Sequence, residues 1–134
     1  MGWQFTSRAP VYLQVVSRIR ADILSGVYEA DQQIPPVRQL ALEAGVNPNT
    51  MQRAFAMLEA EKLFVTRGTV GRFITSDTAV LDAAREVMRK ETVARLVEEA
   101  RTAGSPPEQL ICEIRAYLDG ETSPQDDLKG GQPS

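Results

Sequence analysis

The sequence contains no histidine, only one cysteine, and no apolar run that approaches the roughly 20 residues needed to span a membrane. Without histidine the chain lacks the most common general base and the most common zinc ligand. The single thiol, Cys112, has no second cysteine for an internal disulfide; it either packs as a small hydrophobic residue or senses redox state. These absences predict a cytoplasmic protein that is not an enzyme and uses no cofactor or metal.

The charge of the chain is unevenly distributed along its 134 residues. The net charge is −3, yet residues 1–76 carry eight basic and six acidic side chains, whereas residues 77–134 carry seven and twelve. An anionic partner is therefore expected to bind the first part of the chain.

Apolar residues at helical spacing predict three helices in this first part, over residues 10–25, 36–44 and 48–61. Asn47 can cap the third helix, with Pro48 at its first position. The short connection between the second and third helices, residues 44–47, has the spacing of a helix-turn-helix.

Two runs rich in β-branched and aromatic residues follow, at 63–66 and 72–75, and the connector between them contains two glycines. This pattern predicts a β-hairpin. A helix, a helix-turn-helix and a hairpin in this order predict a winged helix, so the fold class is mostly α with a small β-hairpin. We expect this domain over residues 1–76, a helical arm over 77–120 and a disordered tail over 121–134.

The third helix carries an apolar stripe that we expect to face the core: Met51, Ala54, Phe55 and Leu58. Asn49, Gln52 and Arg53 then point outward, and Thr50 lies near the N-terminal end of the same face. Such side chains have donors and acceptors that match base edges and phosphates. For an isolated helix the same residues would indicate an ordinary solvated surface, but the hairpin that follows favours a DNA-reading helix.

The hairpin places Arg67 and Arg72 beside Gly68 and Gly71, which suits a wing lying on the DNA backbone or in the minor groove. The glycines also have a purely structural interpretation as turn residues. Arg38, in the first turn of the second helix, either reaches a phosphate or forms a surface ion pair with a neighbour such as Glu43.

Four segments, residues 34–41, 45–54, 58–63 and 71–74, resemble the winged helix-turn-helix domain of the GntR family of bacterial transcription regulators, most of all its YtrA subgroup. The resemblance implies a homodimeric repressor. It also implies DNA-facing positions at Arg38, Asn49, Thr50, Arg53 and Gly71. The sequence departs from the family pattern at Pro36, where Ser or Thr is usual and can cap a helix, and at Lys62, where glycine is usual. Taken with the reasoning above, the predicted DNA-binding residues are Arg38, Asn47, Asn49, Thr50, Gln52, Arg53, Arg67, Gly71 and Arg72.

Two further helices are predicted after the hairpin, from Asp77 or Thr78 to about Ala103 and from Pro106 to near Gly120. Their apolar faces exceed what a small winged helix can cover, which favours dimerisation over an intramolecular helical hairpin. The predicted dimerisation residues are Leu81, Val87, Met88, Leu110, Ile114, Tyr117 and Leu118.

The predicted function is sequence-specific binding of a palindromic double-stranded DNA operator by a homodimer, with the third helix in the major groove. The alternative is a winged helix used for protein contact or assembly, which the negative net charge favours. Steep weakening of binding by salt would indicate DNA, since an apolar protein interface responds little to ionic strength. The sequence does not identify an effector.

Overall fold

Five helices and one antiparallel pair of strands make up the protein in a computed structural model, which describes the backbone of residues 3–130 and the side chains of residues 3–120. The elements are α1 (Val11–Leu24), α2 (Val37–Ala44), α3 (Pro48–Ala60), β1 (Phe64–Arg67), β2 (Gly71–Ile74), α4 (Thr78–Thr102) and α5 (Pro107–Gly130). By its internal contacts the chain divides into two units, residues 1–86 and 87–134, with the division inside α4.

The core of the first unit lies where α1, α2 and the hairpin pack on α3. All four residues of the predicted α3 stripe are buried, which confirms the inward face of that helix. Phe55 of α3 meets Phe64 of β1 edge to face, with ring centroids 5.0 Å apart. Because the apolar stripe fixes the rotation of α3, the polar residues on its other side must face outward.

The turn between α2 and α3 has the predicted local chemistry. Gly45 adopts the left-handed conformation that ends α2, at φ 74°. The Asn47 side-chain oxygen accepts a hydrogen bond from the Asn49 backbone N–H at 2.7 Å, which confirms Asn47 as the N-cap of α3. Pro36 precedes α2 without a side-chain cap, as the departure from the family pattern predicted.

The hairpin pairs Phe64 with Ile74 and Arg67 with Gly71, close to the predicted strand positions. Residues 31–34 lie along the other side of β2, where the Asp31 N–H donates to the Ile74 carbonyl and the Ile34 N–H to the Arg72 carbonyl, each at 2.9 Å. The sequence analysis missed this third segment, since it is short, polar and followed by two prolines, all of which argue against a strand.

The last helix is longer than predicted. α5 continues to Gly130 instead of ending near Gly120. An α-helix makes its backbone hydrogen bonds within itself, so a polar sequence can continue a helix without burying apolar side chains. The remainder of the predicted tail, residues 131–134, lies outside the described residues.

Candidate nucleic-acid interface

The N-terminal half of α3 presents a strip of polar side chains to solvent. Asn49, Gln52 and Arg53 are exposed and Thr50 is half-buried. Within residues 3–120, the side chains of Asn49 and Gln52 form no hydrogen bond with another residue, which leaves their amide donors and acceptors available. We call these four residues the α3 strip.

Arg53 is the one member of the α3 strip with a defined side-chain neighbour. Its guanidinium carbon lies 3.8 Å from the centroid of the Tyr12 ring, near the start of α1. This cation–π contact orients the guanidinium, and no carboxylate among the described side chains pairs with it. The sequence analysis missed this contact, because residues 41 positions apart give no periodic pattern.

Two further predicted residues lie outside the strip, Asn47 as the N-cap of α3 and Arg38 in the first turn of α2. Asn47 is exposed, but its side-chain oxygen is committed to capping α3. Arg38 is exposed on α2 and pairs with no carboxylate among the described side chains. Its alternative ion pair with Glu43 is not formed; Glu43 Oε2 accepts a hydrogen bond from the Gln39 side chain at 3.2 Å.

The arginine at the end of β1 is paired with an acidic residue. Arg67 Nη2 lies 2.6 Å from Asp31 Oδ1, and the guanidinium carbon is 4.4 Å from the Phe73 ring centroid. Both partners are about half exposed, so solvent weakens this pair and a phosphate can compete for Arg67.

The second hairpin arginine, Arg72, is held against α3. Its Nε lies 3.1 Å from Glu59 Oε2, and both side chains are largely covered. Glu59 also accepts a hydrogen bond from the Thr66 hydroxyl. The Thr66 hydrogen bond and, after it, Arg72 lower the pKa of Glu59 below its ordinary value, against the opposing effect of burial. Glu59 therefore ties both strands of the hairpin to α3.

Gly71 has a φ of +138°, a conformation that residues with a Cβ rarely adopt, and this favours glycine here. An added Cβ would also lie 2.7 Å from Nε2 at the end of the flexible Gln33 side chain, which would have to shift. That amide donates to the Val70 carbonyl at 2.9 Å and so joins residues 31–34 to the hairpin turn. The close approach is therefore made by the chain's own Gln33 in the free protein.

The predicted dimerisation residues differ in their exposure. Leu81 is buried within a single chain, so its side chain is not available to a second copy. Four of the others are exposed and two are half-buried: Val87, Ile114, Tyr117 and Leu118 in the first group, Met88 and Leu110 in the second. In the second unit, α4 and α5 border an apolar groove of about 390 Å³ that includes Leu110 and Ile114.

The side chains of the described residues include no group of three acidic, cysteine or histidine residues placed to hold a metal ion. None of the described helices has the length and apolar character needed to cross a membrane. Cys112 is exposed on α5 and is not packed as a core residue.

Comparison with known proteins connects this geometry to transcription regulation. The family model described as bacterial regulatory proteins, gntR family, matches residues 11–74, which run from α1 to the end of β2. Two Bacillus subtilis proteins match nearly the whole chain. The uncharacterized HTH-type transcriptional regulator YhcF is 29% identical over 90% of this chain and 99% of its own. The HTH-type transcriptional repressor YtrA is 31% identical over 85% and 91%.

Two solved structures are also similar to this chain. A GntR family transcriptional regulator from Listeria monocytogenes superposes with a TM-score of 0.75 at 30% identity, covering 84% of this chain and 98% of that one. The AraR DNA-binding domain, solved in complex with operator ORX1, aligns with a TM-score of 0.50 at 25% identity, over 56% of this chain and 95% of its own.

Proposed function

The chain belongs to the GntR family of DNA-binding transcription regulators, a family of non-enzymatic proteins, and we propose that it is a homodimeric repressor of a palindromic operator. In this proposal residues 1–76 bind DNA in the bacterial cytoplasm and residues 77–120 form the dimer arm. The name of its relative YtrA supports the repressor role.

The α3 strip is the observation that carries the proposal. Asn49 and Gln52 keep their amide groups unpaired in the described structure, at the end of a helix whose rotation is fixed by its buried stripe. Asn and Gln can bind adenine through two hydrogen bonds, and Arg can bind guanine in the same way. A recognition helix uses its N-terminal residues for such contacts in the major groove.

The other predicted basic residues differ in whether an acidic side chain already pairs with them. Arg38 is available for a phosphate, and Arg67 reaches one by exchanging Asp31 for the DNA backbone. Arg72 supports the hairpin through Glu59 and contacts DNA only if that pair opens. Gly71 allows the wing to approach the DNA backbone closely once the Gln33 side chain moves aside.

Dimerisation rests on the exposed apolar residues beyond the hairpin. Tyr117 and Leu118 of α5 expose more than half of their area, and Ile114 nearly half. A contiguous group of exposed apolar side chains often marks a protein–protein contact. A second copy would cover them and present two α3 strips to operator half-sites related by a twofold axis.

The proposal is tested by measuring how the full chain binds a labelled duplex from the DNA upstream of its own gene. Asn49→Ala and Arg53→Ala are each expected to weaken binding by about tenfold or more, since a paired base contact is worth roughly 1–3 kcal/mol. Gln109→Ala is the matched control, because Gln109 is an exposed residue of α5 whose side chain donates a hydrogen bond to Glu113. Unchanged affinity in both α3 variants would contradict the proposal.

Salt distinguishes this function from the use of the winged helix as a protein-contact module, which the net charge of −3 favours. DNA binding through several phosphates is expected to weaken steeply as ionic strength rises. A complex that tolerates salt and does not need the α3 strip would favour protein contact.

A further inference from the structure

We propose that Tyr12 is a positioning residue for DNA recognition, which holds the Arg53 guanidinium in place before DNA arrives. The inference rests on the proposed function, and it adds one residue of α1 to the α3 strip as part of the DNA-recognition surface. Its basis is the 3.8 Å contact between the Arg53 guanidinium carbon and the centre of the Tyr12 ring. The distance is well within the roughly 6 Å range of cation–π attraction.

The contact orients Arg53 without occupying its hydrogen-bond donors. Among the described residues, no carboxylate or carbonyl accepts a hydrogen bond from the Arg53 side chain. A guanidinium has five N–H donors at its edge, while attraction to an aromatic ring acts on its charge. Arg53 is therefore held in position with its donors still available for a pair of acceptors on DNA.

The hairpin arginines have the opposite arrangement. Arg67 and Arg72 also lie over aromatic rings, but each donates at the same time to a carboxylate, Asp31 or Glu59. DNA must compete with an internal anion for those two side chains. Arg53 has no such competitor, so of the three it is the arginine best prepared to make a direct contact.

The position of the ring is itself fixed by the core. Tyr12 is half-buried in the first turn of α1, and the helix is anchored by the fully buried Val15, Val16 and Ile19. A free arginine side chain loses rotamer entropy when it is immobilised. Part of that loss is already incurred in the free protein, so it no longer opposes binding.

A double-mutant cycle tests the inference by the affinity of the full chain for the upstream duplex. Tyr12→Leu is expected to weaken binding about fivefold, in keeping with the strength of exposed cation–π contacts, while Tyr12→Phe stays within about twofold of wild type because it keeps the ring. In an Arg53→Ala background, Tyr12→Leu should cause no further loss. A general effect on folding would instead weaken both backgrounds equally.

Trp3→Leu serves as the matched control, because Trp3 forms the same kind of contact with Arg18, at 4.6 Å, and that arginine is not assigned to DNA. It should leave the affinity unchanged. Wild-type binding that Tyr12→Leu does not alter, or that Tyr12→Phe weakens as much as Tyr12→Leu, would overturn the positioning role alone. No binding of the upstream duplex by the wild type would overturn the proposed function itself.

Discussion

Glu59 of α3 and Arg72 of β2 form an ion pair, with 3.1 Å between Glu59 Oε2 and Arg72 Nε. The pair joins the proposed recognition helix to the wing, and the Thr66 hydroxyl adds a hydrogen bond to the same carboxylate. These two elements, which the proposed function places on DNA, are therefore coupled through one acidic side chain, which helps to fix their relative position in the free protein.

Replacing this carboxylate should make stability less dependent on pH. The pKa of Glu59 lies below its ordinary value of 4.5, so its contribution to stability is present above that pH and is lost as the pH falls through the lowered value. Glu59→Gln is expected to reduce the free energy of unfolding by about 1 kcal/mol at neutral pH. The difference from wild type should shrink in urea titrations run at progressively lower pH.

The control for this prediction is Glu98→Gln, which neutralises an exposed carboxyl of α4. It should leave the pH profile of the wild type nearly unchanged. A Glu59→Gln variant that stays less stable than wild type by the same amount at low pH would contradict the assigned role of the ionised carboxylate.

Removing the acidic partner of Arg67 should strengthen DNA binding. Asp31→Asn keeps a residue that tolerates the positive φ of 67° at this position, so the backbone is expected to remain unchanged. With its guanidinium released, Arg67 can bind a phosphate without exchange, and affinity at low salt should rise about two- to fivefold. The slope of affinity against salt should also become steeper.

Asp82→Asn makes the same change of charge at the Arg85 pair on α4 and serves as the control. If it raises the affinity as much as Asp31→Asn does, overall charge and not the release of Arg67 accounts for the gain.

Lys62 should be replaceable by glycine with a gain in stability. Lys62 follows α3 at a φ of 68°, a conformation that costs a residue with a Cβ roughly 1–2 kcal/mol. Glycine avoids that cost but has more conformational freedom to lose on folding, so a net gain of about 0.5–1 kcal/mol is expected for Lys62→Gly. Chemical denaturation measures the change, and Lys62→Ala, which keeps a Cβ, should show no comparable gain. Equal stability of the glycine and alanine variants would contradict the strain at this position.

Charge on the exposed face of α5 should dissociate the proposed dimer. Ile114→Arg places a cation among the exposed apolar residues, whereas Glu113→Arg changes an adjacent exposed polar position. By sedimentation, the wild type and Glu113→Arg are expected at twice the 14.8 kDa chain mass and Ile114→Arg at the mass of one chain. A monomeric wild type would contradict dimerisation.

The sequence was sufficient to predict the elements that depend on local periodicity and capping. The apolar stripe of α3 determines which of its residues face outward, and Asn47 marks the start of that helix, so the orientation of the polar strip could be predicted without coordinates. The fold class and the resemblance to the family could likewise be predicted from short segments of the sequence, residues 34–41, 45–54, 58–63 and 71–74.

What the sequence could not provide were contacts between residues distant in the chain. Three such contacts depend on how the elements pack: the cation–π contact of Arg53 with Tyr12, the ion pair of Arg67 with Asp31, and the pairing of residues 31–34 with β2. Because of these contacts the arginines are not equivalent, although a count of basic residues in the sequence treats them alike. The structure separates the paired arginines of the hairpin from Arg53 and Arg38.

The proposed reading of bases by the α3 strip is tested most directly by measuring the affinity of the wild type and Gln52→Ala for every single-base variant of the operator. Gln52→Ala is expected to lose discrimination at one base pair in each half-site, with roughly 1–3 kcal/mol lost per contact, while non-specific binding is retained. An unaltered discrimination profile in parallel tests of Gln52→Ala, Asn49→Ala and Arg53→Ala would contradict base reading by the strip.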